Sequence, residues 1–370
     1  TASRRIVSAY SAVFDSPPRR IPSFKFVDGP ITGNGDIGLT LSGAPERQRY
    51  WISKNDFWKS GPDFKKCGPS VIGGIDVQID ELKNASYRVE QVLYNPAIKS
   101  KFALDDNAVT MDAWVAAGDN VIIIVLKASR KSVSVNLDLW VQDGYGSEIS
   151  KGRQEGVSWV TRKFNTAELL YPTEAAVAMR CQGAEGRSFT LAPGRSVTII
   201  ASVTTNHESV EYHANARKTA AEIDRDGIDR LRGRHAEWWR TFWAKSYVEI
   251  EDKLIEKFYY ASHYIMACCS RNPKFAPGLY GNWITSNRTA WAGDIHLNYN
   301  HEAPYWGLYS SNRLELTEPY DAPLLDYLPA ARVNARKYLG KKGAYMPVGI
   351  GPKGHSSNFF DSKMMDEIYG

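Results

Sequence analysis

The sequence lacks the long apolar runs and the blocks of like charge that mark membrane and nucleic-acid-binding proteins. Its longest apolar run, Val121 to Leu126, is far shorter than the ~20 residues that a membrane-spanning helix needs. The 46 basic and 41 acidic residues are interspersed, and the net charge is only +5. No basic segment of the kind that binds nucleic acid is present. We therefore predict neither a membrane nor a nucleic-acid partner.

Cysteine is scarce, and its spacing does not fit a metal site. The four residues are Cys67, Cys181, Cys268 and Cys269. They form no Cys-x-x-Cys pair, and two adjacent cysteines cannot both readily turn toward one ion. Because free cysteine is often buried, we interpret all four as small core residues and predict no metal ion. The first residues, Thr1 to Arg5, also lack the apolar core of a signal peptide.

Aromatic residues, by contrast, are plentiful. They make up 12% of the chain, with 11 Trp and 20 Tyr, and hydrophobic residues make up 43%. This composition is typical of ordered proteins with packed cores. At 370 residues the chain is longer than one ordinary domain of ~100–200 residues, so we predict two domains.

One segment, Gly278 to Trp306, concentrates aromatic and polar side chains. It holds Trp283, Trp291 and Trp306 among asparagine, histidine and acidic residues, and it shows no helix or strand period. A sugar ring presents a C–H face that stacks on indole, and hydroxyls that need amide, imidazole or carboxylate partners. We therefore predict a structured loop that binds a sugar. The alternative is a large loop that its own Trp side chains pin against a core.

The first 205 residues are predicted to form an antiparallel β-sandwich. Short β-rich runs alternate with turn residues, as in the hairpin-like break Ala117-Gly118-Asp119. Apolar residues alternate in Val133 to Leu139, which gives a strand one buried and one outward face. The predicted strands include Ser70 to Ile79, Tyr87 to Tyr94, Ala108 to Val115, Asn120 to Lys127, Ser132 to Val141, Val157 to Thr161, Ala175 to Cys181 and Arg195 to Thr204.

After Thr205 the sequence becomes helical in pattern. Residues 206–250 are predicted to form a helical linker, and residues 251–370 the first part of a helical domain. The predicted helical stretches are Val210 to Lys245, Glu251 to Arg271, His301 to Asn312, Pro319 to Leu339 and Ser362 to Tyr369. These helices are too few to enclose the Trp-rich segment in a packed domain. We therefore expect the helical domain to continue beyond residue 370.

Two separated parts of the chain carry the patterns of a known family. Near the N-terminus, Gly29-Pro-Ile-Thr-Gly-Asn-Gly-Asp-Ile-Gly-Leu39 is followed by Trp51-Ile-Ser-Lys-Asn-Asp-Phe-Trp58. These two strings resemble the patterns LGNGxxG and NExTLW of glycoside hydrolase family 95, best known for α-L-fucosidases. Further on, Gly278 to Trp306 resembles the family segment LQGxWN…PW…xNINxxMNYW. The order of these segments and the gap between them also agree.

The resemblance implies a multidomain β and α protein. An antiparallel β-sandwich at residues 1–205 and a helical linker at 206–250 would precede an incomplete (α/α)6 toroid at 251–370. Asn298 and Asn300 would position and activate the water that attacks the anomeric carbon, because an amide can both accept and donate a hydrogen bond. The general acid and base are expected beyond residue 370. The alternative for both asparagines is capping of the helix that follows them.

Six further residues of the same segment are predicted to bind the substrate. They are Trp283, Trp291, Asp294, His296, His301 and Glu302. The two indoles are candidates for stacking on a sugar ring, and the two imidazoles for bonding its hydroxyls. The two carboxylates are expected to hold hydroxyls or nearby arginines. Alternatively they are themselves the acid and base of an inverting glycosidase, which lie ~6.5–9.5 Å apart.

We therefore predict an exo-acting, inverting glycoside hydrolase that needs no cofactor. Its substrate is predicted to be an oligosaccharide or glycan with an α-L-fucoside or a related α-L-glycoside, such as an α-L-galactoside. Two alternatives stay open: a glycoside phosphorylase on the same toroid, and a carbohydrate-binding protein that has kept the site and lost catalysis. We expect a secreted or periplasmic protein whose leader is not in this sequence. The oligomeric state stays open.

Overall fold

The computed structural model describes residues 2–61, 66–165 and 167–356. The strands are β1 (Ala12–Phe14), β2 (Ile31–Gly33), β3 (Ile37–Ser42), β4 (Arg47–Lys54), β5 (Trp58–Lys59), β6 (Gly68–Pro69), β7 (Gly73–Gln78), β8 (Ser86–Val92), β9 (Ala97–Leu104), β10 (Asn107–Val115), β11 (Val121–Ala128), β12 (Val133–Val141), β13 (Ser147–Gln154), β14 (Val157–Phe164), β15 (Glu174–Gln182), β16 (Ser188–Leu191), β17 (Ser196–Thr205), β18 (Ile295–His296) and β19 (Gly349–Ile350). The helices are α1 (Ala2–Val7), α2 (Tyr212–Glu222), α3 (Arg225–Ala244), α4 (Lys253–Cys269), α5 (Tyr299–Ser310) and α6 (Glu318–Leu339). The helix predicted at Ser362 to Tyr369 lies outside the described residues.

Two antiparallel sheets enclose one core in the N-terminal part. Within the described residues, the larger sheet has nine strands in the order β1-β8-β9-β10-β11-β17-β15-β14-β13, and the smaller has six in the order β16-β12-β7-β4-β3-β2. Leu39 and Ile52 of the smaller sheet pack in the same fully buried cluster as Phe102, Met111 and Ile124 of the larger one. The predicted fold class, an antiparallel β-sandwich followed by helices, is therefore confirmed.

The predicted strands form because apolar and polar residues alternate along a strand that has one buried face. They correspond to β7, β8, β10, β11, β12, β14, β15 and β17. The same signal does not reveal β13. Most residues of that strand are exposed, and it lies at the edge of the nine-stranded sheet. An edge strand with polar faces has no apolar alternation to detect.

The predicted helical stretches also form, with one interruption. Within Val210 to Lys245 the chain makes two helices, α2 and α3, because Asp224 caps the second. Its side chain accepts a hydrogen bond from the Gly227 amide at 2.7 Å. At the other end of the helical part, Gly340 closes α6 with a left-handed φ of 58°. The division into domains at residues 205 and 250 stays a prediction.

Helix α3 connects the sandwich to the helical part, because apolar residues near its start pack on the sandwich and aromatic residues near its end pack on α4. Ile228 and Leu231 pack on the sandwich in one buried cluster. Trp239 and Trp243, toward the other end of the helix, pack against α4. Their rings lie 6.0 Å from Tyr264 and 5.9 Å from Tyr260, centroid to centroid. Burial of such large rings fixes α4, and the segment that follows it, against the sandwich.

The glycines of the N-terminal motif serve the same junction. Of Gly33, Gly35 and Gly38, only Gly35 has a left-handed φ, of 89°. A Cβ at Gly33 would lie 2.4 Å from the carbonyl oxygen of Cys268, and one at Gly38 would lie 2.1 Å from that of Asn282. The two strands β2 and β3 therefore touch the backbone of the helical part directly, and a side chain would push the two apart.

Replacing Gly38 with alanine is expected to lower the free energy of unfolding by about 1–3 kcal/mol, the usual cost of overpacking. The neighbour that must move is backbone, which cannot rotate away as a side chain can. Urea unfolding measures the loss. Gly233→Ala is the control, because nothing lies within 4 Å of a Cβ at this position of α3. Alanine there is expected to leave the stability unchanged or to raise it by up to about 1 kcal/mol.

A buried charge cluster lies beside these glycines. The Lys54 ammonium is 2.6 Å from Asp36 Oδ2, 2.7 Å from Asp56 Oδ2 and 3.3 Å from Glu208 Oε1. Asp56 also accepts a hydrogen bond from the Thr205 hydroxyl at 2.6 Å. Asp36 and Asp56 thus hold Lys54, and with it the ends of β4 and β17, in one buried network.

Candidate functional site

The segment Gly278 to Trp306 runs from the end of α4 into α5. Its middle is fixed by strand β18, whose Ile295 and His296 pair with residues of β19. Ile295 packs with Tyr327 and Ala331 of α6 in a small buried cluster. This ribbon therefore holds His296 at a defined place against the helices.

Helix α5 begins directly after this ribbon, and Asn298 is its N-cap. The Asn298 side-chain oxygen accepts a hydrogen bond from the Asn300 amide at 3.0 Å, and its carbonyl accepts one from the His301 amide, also at 3.0 Å. Capping, the alternative that the sequence left open for Asn298, is thus what the structure shows for its side-chain oxygen. The Asn300 side chain is not used in this cap.

A cavity of about 300 Å³ lies between α4, α5 and the segment that joins them. Four of the predicted site residues line it: Trp283, His296, Asn300 and His301. Its volume is at the lower end of the ~300–1,000 Å³ that small-molecule sites occupy. It has room for one ring rather than for a long chain. None of the described residues that line it is charged.

The orientation of His296 is set by a buried carboxylate behind it. Its Nδ1 lies 3.0 Å from Asp294 Oδ1, and Asp294 is only 2% exposed. Because a carboxylate only accepts hydrogen bonds, Nδ1 carries the proton and Nε2 is the nitrogen left for a ligand. Asp294 does not line the cavity. Its position is that of an orienting group for the imidazole.

His301 is held in a comparable way by α6. Its Nε2 donates to the Tyr320 carbonyl at 3.2 Å, and its ring stacks on the Tyr320 ring with centroids 4.5 Å apart. Burial lowers the pKa of His301 below its usual value. The imidazole is therefore neutral at neutral pH, and Nδ1 is the nitrogen that can accept a hydrogen bond.

Trp283 forms a wall of the cavity and part of the core. Its indole is 5% exposed, and its N–H donates to the Thr32 carbonyl of β2 at 2.9 Å. The ring is therefore fixed at its edge by the sandwich while it also lines the cavity.

Trp291, Trp306 and Glu302, like Asp294 and Asn298, are not among the residues that line the cavity. Trp291 is 64% exposed, and its ring lies on the His296 imidazole with centroids 5.3 Å apart. Trp306 is exposed on α5, and so is Glu302 in the first turn of that helix. The structure thus gathers four predicted site residues around one cavity, places Asp294 and Trp291 against His296, and leaves Glu302 apart.

Much of the apolar wall was not predicted. Phe26 and Ile31 come from the N-terminal stretch, Ile265 and Met266 from α4, and Tyr280 from the segment itself. Phe26 and Ile31 lie far from the segment in sequence, and Ile265 and Met266 belong to the preceding helix, so the pattern of the segment could not assign any of them. The presence of Tyr280 inside the Trp-rich segment was a signal that could have been used.

A larger groove of about 750 Å³ lies at the junction of the sandwich with α2 and α3. Its walls carry charges of both signs, including Asp119 and Arg234, which pair with each other at 2.8 Å. Among the described residues that line it there is no aromatic ring. The smaller cavity therefore fits the predicted chemistry better, because a sugar site needs both stacking surfaces and hydrogen-bonding groups.

Metal-ligand groups and membrane-spanning helices were also sought in the described part of the chain. Within residues 2–61, 66–165 and 167–356, no three His, Cys, Asp or Glu side chains are grouped as metal ligands. In the same part of the chain, none of the helices is both long and apolar enough to cross a membrane. Cys67, Cys268 and Cys269 are buried, and Cys181 is half-buried.

Part of the chain is similar in sequence to known glycoside hydrolases. Residues 213–364 match the model of the Glycosyl hydrolase family 95 catalytic domain. Alpha-L-fucosidase 2 of Arabidopsis thaliana is 31% identical to the chain over 87 residues, which are 24% of this chain and 10% of the fucosidase. The whole of the predicted site, from Trp283 to Glu302, lies inside the matched family region.

The fold also has a relative among solved structures. A structure assigned as a kojibiose phosphorylase from the human microbiome superposes with a TM-score of 0.62 at 13% sequence identity. The match covers 92% of this chain and 52% of that one, so the chain spans about half the length of this relative. At such low identity the likeness concerns the fold alone. The resemblance to glycoside hydrolase family 95 is thus confirmed, and residues 213–364 are the part of the chain that matches its catalytic domain.

Proposed function

We propose that the chain is part of an exo-acting glycoside hydrolase and that its cavity of about 300 Å³ holds the terminal sugar of an α-L-fucoside or a related α-L-glycoside. One observation carries the proposal. Trp283, His296 and His301, which were predicted to bind substrate, and Asn300, which was predicted to position water, line a single cavity inside the region that matches the family 95 catalytic domain.

The chemistry of the walls favours a neutral and partly apolar sugar. Met266, Leu279 and Trp283 offer apolar surface for the C–H face of a pyranose. The free nitrogens of His296 and His301 and the Asn300 amide offer partners for hydroxyls. A 6-deoxy sugar such as L-fucose suits this cavity best, because its methyl group needs apolar contacts. L-Galactose, which has a hydroxyl at that carbon, is expected to bind more weakly.

The proposed mechanism is inversion, with water positioned by Asn300, which lines the cavity. Asn298, which was predicted to share this role, caps α5 with its side-chain oxygen and does not line the cavity. An inverting glycosidase needs a general acid and a general base ~6.5–9.5 Å apart. Asp294 is buried behind His296 and Glu302 is exposed on α5, and none of the described residues lining the cavity is a carboxylate. We therefore propose that the acid and the base come from residues outside those described.

The same observation favours a second candidate function. The described part of the site can bind a sugar, but it offers no pair of carboxylates to cleave one. A carbohydrate-binding protein without catalysis would have this arrangement. In either case we propose a secreted or periplasmic location, since the oligosaccharides or glycans that such a site binds occur mainly outside the cytoplasm.

His296→Ala is expected to weaken the binding of L-fucose about tenfold, because it removes a hydrogen-bond partner of the sugar. Isothermal titration of the whole chain measures the affinity. His213→Ala is the matched control: His213 also packs on an indole, that of Trp159 at 4.4 Å, but it lies on α2 and outside the cavity. Equal affinities for both variants would contradict the proposed site.

Hydrolysis separates the two candidate functions. The protein purified from its natural source is incubated with aryl α-L-fucoside and aryl α-L-galactoside, release of the aryl group is followed, and its intact mass is compared with the 41.5 kDa of these 370 residues. Cleavage of the fucoside supports the glycosidase. Binding of L-fucose without cleavage supports the carbohydrate-binding protein, and absence of both binding and cleavage overturns the proposal.

A further inference from the structure

The segment holds a tryptophan in a backbone conformation that side chains of this size rarely adopt. Trp291, Ala292 and Gly293 have consecutive left-handed φ values of 52°, 55° and 54°. Such a conformation costs roughly 1–2 kcal/mol for a residue with a side chain. Only the glycine adopts it freely. The surroundings must therefore hold the other two residues in place.

Contacts on both sides of the turn do so. The Ala290 amide donates to the Phe24 carbonyl at 2.6 Å, and the Asp294 amide donates to the Trp291 carbonyl at 3.3 Å. On the sandwich side, Gly68 lies so close that a Cβ there would be 2.0 Å from the Ala292 carbonyl oxygen. The turn is thus clamped between the N-terminal stretch and the hairpin of β5 and β6.

This clamped turn presents the indole of Trp291 to solvent. The side chain is 64% exposed, and one face of the ring lies on the His296 imidazole at 27° between planes. A single exposed aromatic residue needs no explanation. An exposed indole at a strained position, stacked on a residue of the candidate site, is different, because the chain bears a cost to hold it there.

We propose that the exposed face of Trp291 binds a second sugar ring, the one linked to the sugar in the cavity. This inference rests on the proposed function. His296 lines the cavity and also carries the Trp291 ring, so a ligand bound to His296 is one ring away from the indole. Trp291 itself does not line the cavity. Only a ligand that extends beyond one ring can reach it.

A second sugar ring bound at Trp291 would make the substrate class more specific. The cavity would select the terminal sugar, and Trp291 would bind the leaving-group side of the glycosidic bond by stacking on the C–H face of the next ring. Because stacking is tolerant of hydroxyl pattern, the second ring would be specified less strictly than the first. The preferred ligands are therefore oligosaccharides rather than glycosides with a small leaving group.

The test compares a monosaccharide with a disaccharide. The probes are L-fucose and a thio-linked α-L-fucosyl disaccharide, which cannot be hydrolysed readily during titration. Trp291→Ala is expected to weaken binding of the disaccharide about tenfold, or about 1.4 kcal/mol, and to leave L-fucose binding within about twofold. Trp291→Phe, which keeps a planar ring, is expected to retain most of the disaccharide affinity. Trp159→Ala removes the indole of the other Trp–His pair and serves as the control.

The outcomes distinguish this inference from the proposed function. If the wild-type chain binds neither probe, both are wrong. If the wild-type chain binds both probes and Trp291→Ala changes neither affinity, the inference about Trp291 is wrong, while the proposal that the cavity binds the terminal sugar is retained. If Trp291→Ala loses affinity for both probes equally, the inference is also overturned, since Trp291 would then only hold His296 in position. A thermal melt of each variant confirms that it is folded.

Discussion

Replacing Lys54 with methionine is expected to lower the free energy of unfolding by about 3–5 kcal/mol, the cost of breaking a buried ion cluster by removing one partner. The Lys54 side chain is fully buried, with Asp36 and Asp56 within 2.7 Å of its ammonium. Methionine keeps the length and the apolar stem of the side chain. The carboxylates, however, lose the positive charge that offsets the free-energy cost of burying them. Urea unfolding of the two proteins measures the difference.

The pH dependence of this loss separates a charge effect from a packing defect. Burial raises the pKa of Asp56 to about 6 even with Lys54 present, and removing Lys54 abolishes an attraction that lowers it. A carboxyl group whose folded-state pKa exceeds its unfolded value binds its proton more tightly when folded. Its contribution to stability is therefore present at low pH and is lost as the pH rises. The deficit of Lys54→Met is expected to be smaller at pH ~5 than at pH ~7.5.

Lys131→Met is the control for this experiment. Lys131 pairs with Asp106 at 2.7 Å, but both side chains are at least half exposed. Because exposed ion pairs contribute little to stability, the same substitution there is expected to leave the unfolding midpoint nearly unchanged. A deficit for Lys54→Met as small as that of the control, or equal at both pH values, would contradict the structural role of the cluster.

Trp283→Ala is expected to have an effect of similar size, about 3–5 kcal/mol. The indole is 5% exposed and packs in the aromatic cluster that joins the sandwich to the helices. Its loss leaves a cavity and frees the Thr32 carbonyl, which then lacks its hydrogen-bond donor. Trp306→Ala is the control, because that indole is 56% exposed, and its removal is expected to change the stability by less than about 0.5 kcal/mol.

Trp283→Phe tests the same wall for sugar binding in a protein that stays folded. Phenylalanine keeps an aromatic face but loses part of the surface and the N–H donor. We expect a smaller loss of stability than for alanine, together with weaker binding of L-fucose in calorimetric titration. Unchanged affinity would mean that the sugar does not contact this ring.

The sandwich could be predicted because its strands bury one face each. Val133 to Leu139 alternates without a break and forms β12 as expected. Edge strand β13 could not be predicted in this way, because it has no buried face. The break between α2 and α3 was likewise hidden, since the capping role of Asp224 depends on the backbone at Gly227. The spacing of apolar residues reveals which face of a strand or helix is buried. It gives no signal for a strand without a buried face, or for a helix boundary that depends on a single capping residue.

The candidate site could be predicted only in part. The polar residues of the Trp-rich segment were predicted by their residue types and by the resemblance of that segment to family 95. The apolar wall depends on Ile31 of β2 and Met266 of α4, which only the packing of α3 and α4 on the sandwich brings there. The separate roles of Trp283 and Trp291 depend on their opposite exposures, 5% and 64%. Residue type alone cannot distinguish them.

The most direct test of the proposed sugar site is a crystal structure of the chain soaked with L-fucose. We expect density for one pyranose in the cavity of about 300 Å³, with its C–H face against Trp283 and its hydroxyls within hydrogen-bond distance of His296 Nε2 and His301 Nδ1. An empty cavity with the sugar bound elsewhere, or no sugar at a concentration that saturates the calorimetric titration, would contradict it.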